Sequence, residues 1–217
     1  MIEYRADLHI HTVLSPCADL EMSPINIVKT AIDRGLDIIG VSDHNTTRHC
    51  RLMRELAEER GMFVLTGAEV NTREEIHCLA FFESINSLDL FQHFLDEVDR
   101  DENIVYEEPK MLFSALTKSF DEIRNKVKQL EGIFIPAHID RPRNSIYSQL
   151  GLLPQNLDVD ALEISRKTDP KKFIRLHPEI EHFTKITSSD AHYPEDIGIA
   201  STTFILKEKS FSELKKA

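Results

Sequence analysis

Six of the ten histidines in this chain stand at or beside the ends of short apolar runs with the character of β-strands. His9 and His11 close RADLHIH (5–11), His44 follows LDIIGVS (36–42), His77 lies in EIHCLAFF (75–82), His138 ends IFIPAH (133–138), and His192 follows KITSSD (185–190). MFVLTGAEV (62–70) carries Glu69 near its end and KITSSD closes on Asp190, while ALEIS (161–165) and TTFILK (202–207) complete the series. Burying so many titratable groups with no cation to share is very costly, so the fold has to gather these ends around a common charge. In an extended strand successive side chains face opposite ways, which puts Asp7, His9 and His11 on one face and Leu8 and Ile10 on the other.

Helical stretches separate most of the runs. SPINIVKTAIDRG has Ser23 placed to cap, Pro24 at the first helical position and Gly35 as a stop. Further helices are expected from about Thr47 to Arg60 and near 87–99, 115–131 and 170–176. Alternating strand and helix predicts an α/β fold with a mainly parallel sheet. In a parallel barrel the carboxyl ends of the strands share one rim, where residues distant in sequence meet. The charged stretch DEVDRDENIVYEEPK (96–110) breaks the rhythm and is expected to form a solvated loop or lid, about 96–112, in a single domain spanning 1–217.

Composition narrows the class. Hydrophobic residues make up 41% and charged residues 29%, and no apolar run approaches the ~18 residues of a membrane helix, so no membrane partner is expected. The start lacks a basic stretch followed by an apolar one, and Cys17, Cys50 and Cys78 cannot all pair within one chain, which points to the cytoplasm. A net charge of −11 argues against a broad basic face for duplex nucleic acid, although bound cations would offset it locally.

The imidazoles together with Glu69, Asp190 and a further carboxylate supply more donors than one tetrahedral zinc can use, so a multinuclear site follows. Mixed nitrogen and oxygen donors suit zinc, manganese or iron rather than calcium. His49, His93, His177 and His182 lie away from the strand ends and are assigned to surface or packing.

Five segments, DLHIHT, SDHN, GAEV, AHID and SDAH, occur in this order between Asp7 and about Gly198. In them the chain resembles the polymerase and histidinol phosphatase (PHP) superfamily of metal-dependent phosphoesterases. The resemblance implies a distorted (β/α)7 barrel, TIM-like, with the metal cleft at the carboxyl ends of its strands. Carried over by position, it implies that His9, His11, Glu69 and Asp190 hold one ion, Asp19, His44 and His192 a second, and Glu69, His77 and His138 a third, with Glu69 bridging. Asp19 is matched across the longer loop TVLSPCADLEMSP.

Hydrolysis of a phosphate ester by about two or three divalent ions (zinc, manganese or iron), through a hydroxide between them, is the reaction expected of such a site. Glu69, His192 and Asp43 are the candidate catalytic residues, with Asp7 and Asp43 expected to orient His9 and His44. Arg141 and Arg143 in HIDRPRNS, and Arg166 and Lys167 in EISRK, are candidates for gripping a phosphate or carboxylate. No aromatic-plus-basic stripe for a long single strand is evident, so the expected substrate is small: a nucleotide or a phosphorylated metabolite such as histidinol phosphate. The alternatives are a nuclease trimming short nucleic-acid ends and a noncatalytic metal-binding module.

Overall fold

The computed structural model describes residues 1–98 and 114–217, so the expected lid falls largely outside the described residues; its first residues, 96–98, are the end of a helix. In chain order the elements are β1 (Ile2–Ile10), α1 (Pro24–Asp33), β2 (Ile38–His44), α2 (Cys50–Glu58), β3 (Phe63–Asn71), β4 (His77–Phe82), α3 (Ile85–Val98), α4 (Phe120–Gln129), β5 (Ile133–Pro136), α5 (Ile146–Leu150), β6 (Leu162–Glu163), α6 (Pro170–Leu176), β7 (Lys185–Ile186), β8 (Thr202–Leu206) and α7 (Phe211–Leu214).

Six strands form one sheet in the order β5-β4-β3-β2-β1-β8, and β6 and β7 form a second. A bridge from Ile10 to Ala191 and the hydrogen bond from Ile139 N–H to the Glu163 carbonyl tie the two together. The result is a mixed α/β fold with a curled, half-barrel sheet. The expectation of a mainly parallel sheet is corrected: β1 with β2 and β2 with β3 run parallel, but β3 with β4, β4 with β5 and β1 with β8 run antiparallel. The cause lies in the connection, since residues 72–76 between β3 and β4 are far too few for the crossover that a parallel pair needs.

One apolar layer lies between the two sheets, where Ala6, Leu8, Ile38, Leu65, Phe81, Ile135 and Ile186 meet and Phe211 and Leu214 of α7 close the end. Another lies between the large sheet and the helices, with Ile27 of α1, Met53 of α2, Phe91 of α3 and Ile123 of α4 against Ile39, Val41 and Phe82. Leu8 and Ile10 therefore do not share a face as expected. The pairing of β1 with β2 shifts register between Asp7 and Ile10, and an irregularity of that kind re-aims the side chains that follow it.

Helix boundaries follow local chemistry. Ser23 stands at the N-cap of α1 with extended backbone, although its side chain makes no capping hydrogen bond, and Gly35 follows the helix with φ +67°. α2 begins at Cys50 rather than Thr47, because the Thr47 N–H and hydroxyl both donate to Gln92 Oε1 on α3, at 2.7 and 3.0 Å. α4 begins at Phe120, where Ser119 and Glu122 cap each other reciprocally.

Candidate metal centre

β1, β2 and β3 deliver His9, His11, His44 and Glu69 to one end of the sheet, and the turns after β5 and β7 bring His138, Asp190 and His192 to the same place. His77 arrives differently. It is the first residue of β4, which runs against β3, so the rim is built from carboxyl ends plus one amino end. His138 and Asp190 have positive φ, +31° and +52°, a backbone state that non-glycine residues adopt when surrounding contacts enforce it.

Glu69 is the hub. Its Oε1 lies 3.4 Å from His9 Nε2, 2.8 Å from His77 Nδ1 and 3.1 Å from His138 Nε2, and its Oε2 lies 3.4 Å from His11 Nε2 and 3.1 Å from His44 Nδ1. Asp190 Oδ1 is 3.4 Å from both His9 Nε2 and His11 Nε2. Donors bonded to one ion at about 2.0–2.2 Å in a tetrahedron stand roughly 3.3 Å apart, which matches the 3.4 Å separations, whereas His77 and His138 lie at direct hydrogen-bond distance from Glu69.

Burial and charge oppose each other here. Burial pushes the Glu69 carboxyl up, but His77, His9 and His44 outweigh it and hold it well below the usual carboxylate range; Asp190 is held down in the same way by His9 and His11. For His9, burial is overcome by Glu163, Asp190 and Glu69, which hold it well above the ordinary value, and Asp190 and Glu69 raise His11. The carboxylates thus draw positive charge onto the imidazoles. His44 is lowered and His192 falls to about 4, chiefly by burial and by neighbouring imidazoles, so both are neutral near pH 7.

Hydrogen bonding fixes which nitrogens face inward. His9 Nδ1 donates to the Glu163 carboxylate at 3.0 and 3.2 Å, leaving Nε2 to face Glu69. Ser15 Oγ gives its single proton to Asp43 Oδ1 at 2.7 Å, so in its 2.9 Å bond with His11 Nδ1 it accepts, and Nε2 is likewise the His11 nitrogen that faces inward. His192 Nδ1 donates to the Asp190 carbonyl at 3.0 Å. Among the described residues, His9 Nε2 and His11 Nε2 are buried without any hydrogen-bond partner. Buried ring nitrogens that face carboxylates without a hydrogen bond are what a cation site requires, and the residues present fit divalent metal ions. Among the described residues three groups have donor atoms mutually within 4.8 Å: His9, His11 and Asp190; His11, His44 and His192; and His44, Glu69 and His77.

Asp19 enters none of these groups, although its N–H donates to the His192 carbonyl at 2.8 Å; its Oδ1 accepts from Glu21 N–H at 2.8 Å. Asp7 reaches the backbone of His9, while the His9 ring is held by Glu163. The Asp7 oxygens accept from Ser189 N–H (2.9 Å) and Gly198 N–H (2.8 Å), tying β1 to the segment that carries Asp190 and His192, and burial pushes its carboxyl up to about 6. Asp43 acts on the loop after β1 through the Thr12 N–H, the Thr12 hydroxyl and Ser15, and Ser15 Oγ in turn meets both the His11 ring and, at 3.2 Å, the His44 N–H. Arg141 bonds Asp190 Oδ2 at the rim, whereas Arg166 is held by Asp196 through two 3.1 Å bonds. Arg143 and Lys167 are exposed.

The residue that sequence reasoning missed is Glu163. It lies within the apolar run ALEIS as Glu69 lies within its own, so the signal was a carboxylate in a strand buried on both faces. Besides holding His9, it accepts the His138 N–H at 3.0 Å. Glu163→Ala is expected to weaken zinc or manganese binding about 10–100-fold, as loss of a partner that orients a ligand usually does. Chelator competition checks this, with the exposed Glu179→Ala as the unaffected control.

The family model for the PHP domain matches residues 7–164. An uncharacterized protein of Methanocaldococcus jannaschii is 30% identical over 169 residues, covering 74% of this chain and 80% of the relative. Among solved structures, the lesion-specific endonuclease Q of Pyrococcus furiosus superposes over 100% of this chain with a TM-score of 0.80 at 21% identity, and this chain spans 56% of that one. A further structure of endonuclease Q holds a 27-mer duplex substrate with an abasic lesion at the active site (TM-score 0.76, 22% identity, 100% and 56% covered). A proposed metal-dependent phosphoesterase of Bifidobacterium adolescentis matches with a TM-score of 0.67 at 20% identity, covering 97% of this chain and 94% of the other. No helix among the described residues is long and apolar enough to cross a membrane.

Proposed function

The chain belongs to the PHP domain family, whose members hydrolyse phosphoester bonds, and from that premise we propose that the Glu69 cluster hydrolyses a phosphate ester with about two or three divalent metal ions. We take residues 1–217 as one such domain and its curled sheet as a distorted (β/α)7 barrel. The observation that carries the reading is Glu69 itself: five imidazole nitrogens surround one carboxylate, and two of them, His9 Nε2 and His11 Nε2, are buried with no hydrogen-bond partner.

His9, His11, Glu69 and Asp190 would hold one ion, His44 and His192 with Asp19 a second, and Glu69, His77 and His138 a third. Bound there, zinc, manganese or iron ions supply an activated water at neutral pH and positive charge for the phosphoryl oxygens. The chain's own residues do the rest. Glu69 keeps its negative charge at every working pH, neutral His192 presents a lone pair, and Asp43 holds the loop after β1 in place. Arg141, anchored on Asp190 with part of its guanidinium still exposed, meets the substrate's anionic group, with Arg143 and Lys167 farther out. Arg166 joins them only by giving up Asp196.

The first reading of the substrate is a small phosphate monoester. A second, hydrolysis of nucleic-acid ends, is favoured by the likeness to endonuclease Q over the whole chain. Manganese-reconstituted protein is to be assayed on 5′-nucleotides, histidinol phosphate and a short oligonucleotide. Inorganic phosphate from the small esters supports the first reading and shortened oligonucleotide the second. Turnover of none by protein with full metal content overturns both and leaves a noncatalytic metal module.

Metal retention should follow pH with a definite sign. Imidazole binds a metal only when deprotonated, and its ordinary pKa is near 6.5, so acidification makes protons compete for the same lone pairs. Dialysis at pH 5 is expected to strip the ions that dialysis at pH 7 leaves in place. Full metal content after dialysis at pH 4 would contradict a histidine-rich centre.

A further inference from the structure

The hydrogen bonds behind His11 do not stop at Asp43. Thr12 Oγ1 donates its single proton to Asp43 Oδ2 at 2.7 Å, and His49 Nδ1 lies 2.7 Å from the same Thr12 oxygen. Because that hydroxyl proton is committed to a carboxylate that can only accept, the contact requires a proton on His49 Nδ1, which donates to Thr12. An unbroken line of bonds with every proton placed then runs from His49 through Thr12, Asp43 and Ser15 to His11.

The other histidines away from the strand ends do nothing comparable. His93 pairs with Glu97 on the surface of α3, His177 packs on Tyr147 and Phe173, and His182 rests on Phe183. His49 instead occupies the N-cap position of α2, half-buried, with its carbonyl engaged by Met53 N–H, so its ring is carried by a helix packed on the large sheet.

We infer that His49 is a positioning residue for the metal centre: by fixing the Thr12 hydroxyl on Asp43, it keeps Asp43 bonded to Ser15 and thereby holds His11 Nε2 toward Glu69 and Asp190. Without His49 the Thr12 oxygen loses its strongest donor and its hydroxyl is free to rotate. Asp43 then loses one of its three close partners, and the loop 12–15 that aims His11 loosens. Bonds in such a chain polarise one another, so removing the outer member weakens the inner ones.

The inference rests on the metal reading of the site, and zinc affinity measured by chelator competition separates the two. The full chain is compared as wild type, His49→Leu, His49→Asn, Ser15→Ala and the His49→Leu/Ser15→Ala double variant, with His93→Leu as control. Wild type binding no zinc overturns the metal reading. If it binds, His49→Leu should lose affinity about tenfold. Asparagine places an amide donor close to the Nδ1 position and should restore most of it. In the Ser15→Ala background the line is already cut, so His49→Leu should cost nothing more. A merely structural histidine would show the same loss with or without Ser15. Wild-type affinity in His49→Leu, failure of asparagine to rescue, or additive losses would each overturn the role assigned to His49.

Discussion

Glu69→Gln is expected to lower phosphoester hydrolysis by more than about a thousand-fold while leaving the fold intact. The amide has nearly the same shape, so packing around this fully enclosed side chain is preserved. What changes is charge and direction: one carboxylate oxygen becomes an NH2 group that presents hydrogens to the nitrogens facing it, His9, His77 and His138 on one side or His11 and His44 on the other. Loss of an anionic bridge between ions removes several kcal/mol of transition-state stabilisation, and about 4 kcal/mol corresponds to a thousand-fold. Asp43→Asn, one step removed from the centre, should cost only ~10–100-fold. Steady-state rates with metal content and circular dichroism measured on the same samples check this. Near wild-type turnover in Glu69→Gln beside a dead Asp43→Asn would exchange the two roles.

Gly67→Ala should damage stability most. Gly67 lies in β3 between β2 and β4, and a Cβ built on it would stand 1.8 Å from the Ala80 carbonyl oxygen and 2.9 Å from Phe81 Cα. That obstacle is backbone in a paired strand, so the β3–β4 ladder itself must move, and Glu69 moves with it. Overpacking of this kind costs about 3 kcal/mol or more, equivalent to a melting temperature lower by roughly 10 °C in a chain of this size. Gly61, with φ +70° and nothing within 4 Å of its added Cβ, is the comparison: alanine there meets only the strain of a positive φ, about 1 kcal/mol. Thermal melts of the two variants should differ accordingly. Equal melting temperatures would mean that β3 and β4 are not packed this closely.

Much of the arrangement was legible because burial leaves a trace in composition. Apolar runs located all eight strands of the described residues, and the histidines at their ends marked which residues the fold brings together. Apolar runs say nothing of strand direction, however, and the antiparallel β4 was readable only from the shortness of residues 72–76. The partners of Asp7 were not readable at all, since Ser189 and Gly198 lie more than 180 positions away and meet it only in the folded chain. For the same reason Glu163, 154 positions from His9, could not be recognised as the group that orients it. Sequence neighbours suggested Asp7 for that task, but the register shift in β1 turns alternation into a poor guide there. His49 was set aside as an isolated histidine, because its connection to His11 passes through two hydroxyls whose alignment only tertiary structure creates.

The metal content of the chain, measured by elemental analysis after reconstitution with manganese, iron or zinc and removal of loosely held ions, tests the central claim most directly. A cluster in which Glu69 is shared among five imidazoles predicts about two or three ions per chain at pH 7, falling in Glu69→Gln. One ion or none in the wild-type protein would contradict it.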